Sequence, residues 1–397
     1  MPITKLLLNC ADNKIINKNK LYENKEDEMP SNVVSLPLTN FKVNSKAELQ
    51  TEVFKYDEAE QQFIALLELE DLDKKLAAQP EIAVDFESAI ARAIPVAYAG
   101  ASGSSNAAHL FLQRVLYRIN RLKLFWYDDL RHYTNERSYY LRKIRDRIEE
   151  VWQQWELSHL DVESLQKLDV KQALIERVKS DLDPPLTQDS HYIREEMTEA
   201  GYRHLLAIAS LDGLVEASQL SRTLGGVSNE VHSVLTRLLL EEYGGGRLGR
   251  KHSSHFITML AEFKMHTEPE AYFDLVPWEI LALINHSFLL TERKRCFLRY
   301  IGGLLYGELS VPAPFKNYRA AADRLGLQAD ATAYWDLHIK VDELHGRWML
   351  DDAALPLADM YASSAWEIVL GYDQGKCMGD RAGAAVVRSI REVEASL

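Results

Sequence analysis

The sequence predicts an all-α fold, and three observations lead there. From residue 55 onward, apolar residues recur at helical intervals almost throughout, as with Phe63, Leu66, Leu67 and Leu69 in the stretch 61–77. Alternating apolar and polar runs, which build half-buried strands, are scarce. Near the C-terminal end, His338, Asp342 and His345 stand at i, i+4 and i+7. On a helix turning about 100° per residue, that spacing gathers the three side chains within roughly 60° on one face.

The remaining elements follow in chain order. Residues 11–50 are rich in Asn, Lys, Glu and Ser with few aromatics, so residues 1–54 read as a mobile or loosely docked leader. Residues 55–180 read as a helical N-terminal region, with an aromatic-rich stretch at 107–154 and a loop at Ala99–Asn106. Pro184 and Pro185 interrupt helix in the segment Asp181–Ser190, which marks the expected boundary to a second domain at 185–397. No internal repeat is visible.

Composition narrows the function classes. The chain of 397 residues is 47% hydrophobic and 26% charged, as globular proteins are. A formal charge of −13 argues against nucleic-acid binding and suits an enzyme that attracts cationic substrates. No apolar run approaches the ~20 residues that span a bilayer, and the short Leu6–Leu8 run makes no signal peptide, so a cytoplasmic location with no membrane partner is expected. Cys10, Cys296 and Cys377 are too scattered for a CxxC metal site or a disulfide framework.

Two imidazoles and a carboxylate on one helix suit iron, manganese or zinc better than calcium or magnesium. One helix half-coordinates an ion, so further acids and histidines on apolar segments are the candidates to complete the site. Glu216 closes the apolar stretch from Leu205 and is costly there unless paired or ligated. Glu242 ends another apolar helix, and Gly244–Gly246 lets the chain bend back towards His252 or the nearby His255. Glu308 follows the glycine-containing stretch from Arg299. Seven ligands, Glu216, Glu242, His252, Glu308, His338, Asp342 and His345, are too many for one ion but suit two ions bridged by carboxylates in a helical bundle.

In their order and spacing, these residues resemble the haem-oxygenase-like diiron oxidases and oxygenases over about residues 185–397. The resemblance rests on His338-x3-Asp342-x2-His345, on Glu242-x9-His252 after an apolar helix, and on Glu308 about thirty residues before His338. It implies a haem-oxygenase-like helical bundle with an additional helical N-terminal region. Glu242, His252, Glu308, His338, Asp342 and His345 would be the six shared ligands, and His252 is preferred over His255 because its spacing matches the family. Glu216 stands where nitrogen-oxidising members carry a seventh, so Glu216, Glu242 and Glu308 become the candidate catalytic carboxylates.

What the resemblance implies for function is a non-haem diiron N-oxygenase. Two Fe(II) ions would activate O2 and oxidise an amine of an amino acid, a guanidine or an aminoimidazole towards a hydroxylamine or nitro product in a biosynthetic pathway. An external electron donor, a reductase or ferredoxin, is then needed, and residues 55–180 would form a homodimer contact. The alternatives are oxidative C–C cleavage or desaturation at the same site, and a metal-free cofactor-type enzyme of the same superfamily.

Overall fold

The structure is a computed structural model that describes residues 56–98, 105–125, 129–226 and 229–397. The expected leader at 1–54 and nearly all of the loop at 99–106 lie outside the described residues. Among the described residues every regular element is helical. The first part comprises α1 (Tyr56–Leu67), α2 (Leu72–Ala78), α3 (Val84–Tyr98), α4 (Asn106–Asn120), α5 (Tyr139–Leu157), α6 (Val162–Leu165) and α7 (Val170–Asp181). There follow α8 (Gln188–Glu195), α9 (Glu199–Gly213), α10 (Glu230–Glu242), α11 (His252–Glu262) and α12 (Trp278–Glu292). The last are α13 (Phe297–Ser310), α14 (Pro312–Arg324), α15 (Ala333–Arg347), α16 (Leu355–Met360) and α17 (Trp366–Ala395). A π-helical stretch, Trp348–Ala354, joins α15 to α16.

Several helix starts are set by local chemistry. The side chains of Thr187, Thr198 and Asn229 accept from the backbone N–H of Ser190, Gly201 and His232 at the entrances of α8, α9 and α10. Each satisfies a donor that the first helical turn leaves without a partner. The aromatic stretch at 107–154 proves to be two helices, α4 and α5, separated by residues 121–138.

Residues 54–397 form one compact unit. One apolar cluster joins Phe63, Phe86, Phe111, Ile148 and Trp152 from the first helices to Leu289, Ile301, Leu305, Ile368 and Tyr372 from the last. The expected boundary at Asp181–Ser190 is therefore a connection within one body; its prolines interrupt the helix while the core continues across it. Buried amides reinforce the junction of α4 with α12, where the Asn120 Nδ2–H donates to Asn285 Oδ1 at 3.0 Å and the Asn285 Nδ2–H to Gln113 Oε1 at 2.9 Å. No helix among the described residues is long and apolar enough to cross a membrane.

Among the described residues α13 and α17 pack against each other most extensively, and glycine makes their close approach possible. A Cβ on Gly302 would lie 1.8 Å from the Ile368 carbonyl oxygen, and one on Gly371 would lie 1.9 Å from that of Arg299. Backbone cannot yield as a side-chain tip can, so this crossing fixes where α13 runs. Gly302→Ala is expected to destabilise the protein by about 3 kcal/mol or more, read by urea unfolding. Gly383→Ala on α17, where a Cβ meets nothing within 4 Å, should be neutral or stabilising.

Candidate metal centre

Five segments bring the centre together. Glu216 sits in the turn after α9, Glu242 is the last residue of α10, His252 opens α11, Glu308 lies near the end of α13, and His338 and His345 come from α15. Helix ends have backbone groups to spare and let a side chain leave the helix axis freely, whereas the two α15 histidines share a face at i, i+7. Glu242, His252, His338 and His345 are buried, and Glu216 and Glu308 are partly so.

The donors fall into two groups that share one residue. Glu216, Glu242, His252 and His338 form the first, and Glu242, Glu308 and His345 the second, each with one donor atom per residue within 4.8 Å of all the others. Six of the seven expected residues are thus together. Asp342 lies on α15 between the two histidines, and its side chain is outside the described residues. His252, and not His255, belongs to the cluster.

The contacts inside the cluster fit a cation better than they fit hydrogen bonding. His338 Nδ1–H donates to the Tyr334 carbonyl oxygen at 2.8 Å, which aims Nε2 inward. That Nε2 stands 2.9 Å from Glu216 Oε1 and 3.1 Å from His252 Nδ1. Glu242 Oε2 lies 2.7 Å from His252 Nδ1, yet neither it nor Glu216 Oε2 has a hydrogen-bond partner. Lone pairs this close repel unless a proton or metal ion lies between them. Three carboxylates and three imidazoles are a suitable donor set for iron.

Outer contacts orient these donors. The Tyr334 hydroxyl donates to Glu216 Oε1 at 2.5 Å. His345 presents Nδ1 to Glu308 Oε2 at 3.2 Å and to Glu242 Oε1 at 3.4 Å, and its Nε2 faces Glu241 Oε2 at 3.3 Å. A carboxylate behind a ligating imidazole fixes its tautomer and raises its basicity. Sequence reasoning missed Tyr334 and Glu241 in these roles. The signals were Tyr334 one helical turn before His338 and Glu241 beside Glu242.

Electrostatics follow from burial and crowding. Burial, then the charges of Glu216 and Glu308, push the Glu242 carboxyl up to about 9. Burial pulls the His345 imidazole down, but its hydrogen bond to Glu308 and the Glu308 and Glu242 charges outweigh that and hold it at about 9. Burial takes His252 down to about 4. For Glu216, burial is outweighed by His338, and its carboxyl is held below the usual range.

A cavity of about 900 Å³ opens onto Glu216, Glu242, Glu308 and His338. Asp212 lines it as a solvent-exposed side chain, its carboxyl pushed up to about 6 by desolvation within the surrounding protein and then by the Glu216 charge. His286 on α12 also lines it, neutral because burial lowers its pKa to about 3. Gln153 Nε2–H donates to His286 Nδ1 at 3.3 Å, so the proton sits on Nε2, which has no partner. Asp181, Asp189 and Asp380 also line it; Asp181 pairs with Lys376 at 2.6 Å and Asp189 with Arg391 at 3.4 Å, and among the described residues Lys376 is the one lysine or arginine on the lining.

Two measurements test the centre. Wild type should bind two ferrous ions per chain, Glu308→Ala should lose one, and Glu242→Ala should lose both because it serves both groups, as read by anaerobic titration. In the metal-free protein Glu242 and His345 keep their protons up to about pH 9. A metal ion needs them deprotonated, so uptake near neutral pH should release on the order of two protons, and affinity should rise with pH towards 9. Calorimetry in buffers of different ionisation heat counts them; buffer-independent heats would contradict the assignment.

Known proteins agree with this geometry. Residues 203–375 match the model of a family described as iron-containing redox enzymes. Over 169 residues the chain is 29% identical to the nitrosourea synthase of Streptomyces achromogenes subsp. streptozoticus, covering 41% of this chain and 35% of that protein. The likeness therefore spans about a third of that relative's length. The matched residues 203–375 carry all six converging side chains and share the all-α, haem-oxygenase-like fold, so the chain is similar to the iron-containing redox enzymes through the part that builds the centre.

Proposed function

We propose that the protein is a non-haem diiron oxygenase that uses O2 to oxidise an amine nitrogen of a small molecule in a biosynthetic pathway. The observation that carries this reading is the pair of donor groups meeting at Glu242, both of them with members on the cavity wall. A mononuclear or metal-free enzyme has no use for a second donor group sharing one buried carboxylate. The relative named a nitrosourea synthase supports nitrogen as the atom oxidised. The position of Glu216, where nitrogen-oxidising members of the resembled family carry an additional carboxylate, supports the same choice.

Two ferrous ions, when bound, supply electrons and open coordination sites for O2. The rest of the task falls to the chain. Tyr334 holds Glu216 on one side and Glu241 holds His345 on the other, so the donors keep their aim as charge changes. The acidic cavity wall attracts a protonated amine or guanidine. Such a nitrogen is a nucleophile only after losing a proton, and Asp212, with its carboxyl at about 6, stands on the cavity wall to accept it. His286 Nε2–H offers a neutral donor to a carbonyl or carboxylate oxygen elsewhere on the substrate.

An amine screen with ferrous iron, O2 and a chemical reductant tests the reading. The expected product retains its carbon skeleton and gains oxygen on nitrogen, labelled by isotopic O2, and Glu216→Ala should abolish it. Release of a one-carbon fragment, or an unsaturated product without added oxygen, would replace N-oxygenation by C–C cleavage or desaturation. Asp212→Asn should slow the reaction and change its dependence on pH while leaving iron content at the wild-type level.

A further inference from the structure

The chain between Glu242 and His252 leaves the centre, crosses the surface and returns to the centre. On a protein with a formal charge of −13, this loop is locally basic: residues 243–255 contain Arg247, Arg250 and Lys251 and no Asp or Glu. Arg247 and Arg250 are exposed, and neither forms an ion pair among the described residues. Leu248, between them, is 79% exposed. Lys251 places its Nζ 4.5 Å from the centre of the Tyr243 ring.

This loop holds a defined shape. The Arg247 N–H donates to the Gly244 carbonyl at 3.2 Å, the Arg250 N–H to that of Arg247 at 2.8 Å, and the Ser254 hydroxyl to that of Leu248 at 2.6 Å. Gly244 has φ 60°, and a Cβ there would lie 2.4 Å from the Arg250 carbonyl carbon, so only glycine lets the two ends of the loop touch. The cavity lining includes no residue between Glu242 and His338 from this loop, so a partner seated here leaves the substrate route open.

We propose that this loop is the docking face for an acidic one-electron iron–sulfur carrier. The proposal rests on the diiron reading, which needs two electrons for each oxidation. Two reduced carriers each give up one electron, and two ferric ions become ferrous, with no atom transferred. A carrier seated on Arg247, Leu248 and Arg250 lies beside a stretch of chain whose two ends are centre residues, Glu242 and His252. Opposite charge steers its approach and sets orientation, and Leu248 supplies the apolar contact at the middle of the patch.

The test uses an acidic plant-type 2Fe–2S ferredoxin as probe and the full chain, both metal-free and iron-loaded. Its dissociation constant is measured by interferometry at low and high salt. Reversing both charges, Arg247→Glu with Arg250→Glu, should weaken binding on the order of tenfold at low salt in both forms. Arg147→Glu, an exposed position on α5, should leave it unchanged. Ferredoxin-driven reduction should fall in step, while iron content and dithionite-driven reduction stay at wild-type levels. Unchanged ferredoxin binding by the double variant overturns the docking face, and so does a changed sedimentation coefficient, which would assign the loop to contact between two copies of the chain. A wild type that takes up no iron overturns the diiron reading and with it the electron role.

Discussion

Everything near the centre depends on the Glu242 carboxylate, buried where its charge is expensive. Glu216 and Glu308 crowd it, and burial and repulsion together favour the protonated acid. Replacing the acid by a hydrophobic side chain would relieve that cost, so the cluster detracts from the stability of the metal-free fold. Its persistence makes sense if a cation supplies the missing compensation. The same repulsion explains why His345 holds its proton so strongly: in the metal-free protein an imidazolium is the nearest available countercharge.

Holding such a cluster requires a frame that does not relax, and the frame is backbone against backbone. Gly302 and Gly371 let α13 and α17 meet with no side chain between them, which fixes the path of the helix that carries Glu308. On the other side, Gly213 ends α9 beneath the Phe256 ring, since a Cβ there would lie 2.5 Å from it. Close approach therefore brings α9 onto α11 and leaves Glu216 to project from the following turn. Helix ends present the acids, glycine contacts position the helix ends, and α15 supplies the opposing histidines.

The convergence of His338 and His345 on one face of α15 was legible in the sequence because helical period and their spacing coincide there. Glu242, His252 and Glu308 were legible because acids and histidines bordering apolar helices need an explanation. Glu216 was expected at the close of a helix, whereas α9 stops at Gly213, which packs against the Phe256 ring of a distant helix. Tyr334 stood one turn before His338 in the sequence, but its role and that of Asp212 come from Glu216 and the cavity, which only the folded chain brings to them. The prolines at 184 and 185 gave a true break in helix and a misleading break in domain. Local sequence records what a backbone can do, while the continuity of a core depends on side chains such as Trp152 and Tyr372 meeting from far apart.

The family match and the cavity divide the molecule differently, and the difference bears on specificity. The match at 203–375 contains every converging donor but stops short of much of the cavity wall. Asp181, Thr187, Asp189, Lys376 and Asp380 lie outside it and line the outer cavity. The His286 tautomer is set by Gln153, on a helix of the N-terminal region that the match does not reach. On the proposed reading, the matched centre would govern the redox chemistry, and the helices outside the match would govern what is held beside it. Relatives alike in the centre can then differ in substrate with no change to a donor, and the N-terminal helices, packed into the same core as the centre, take part in that choice through the wall they support.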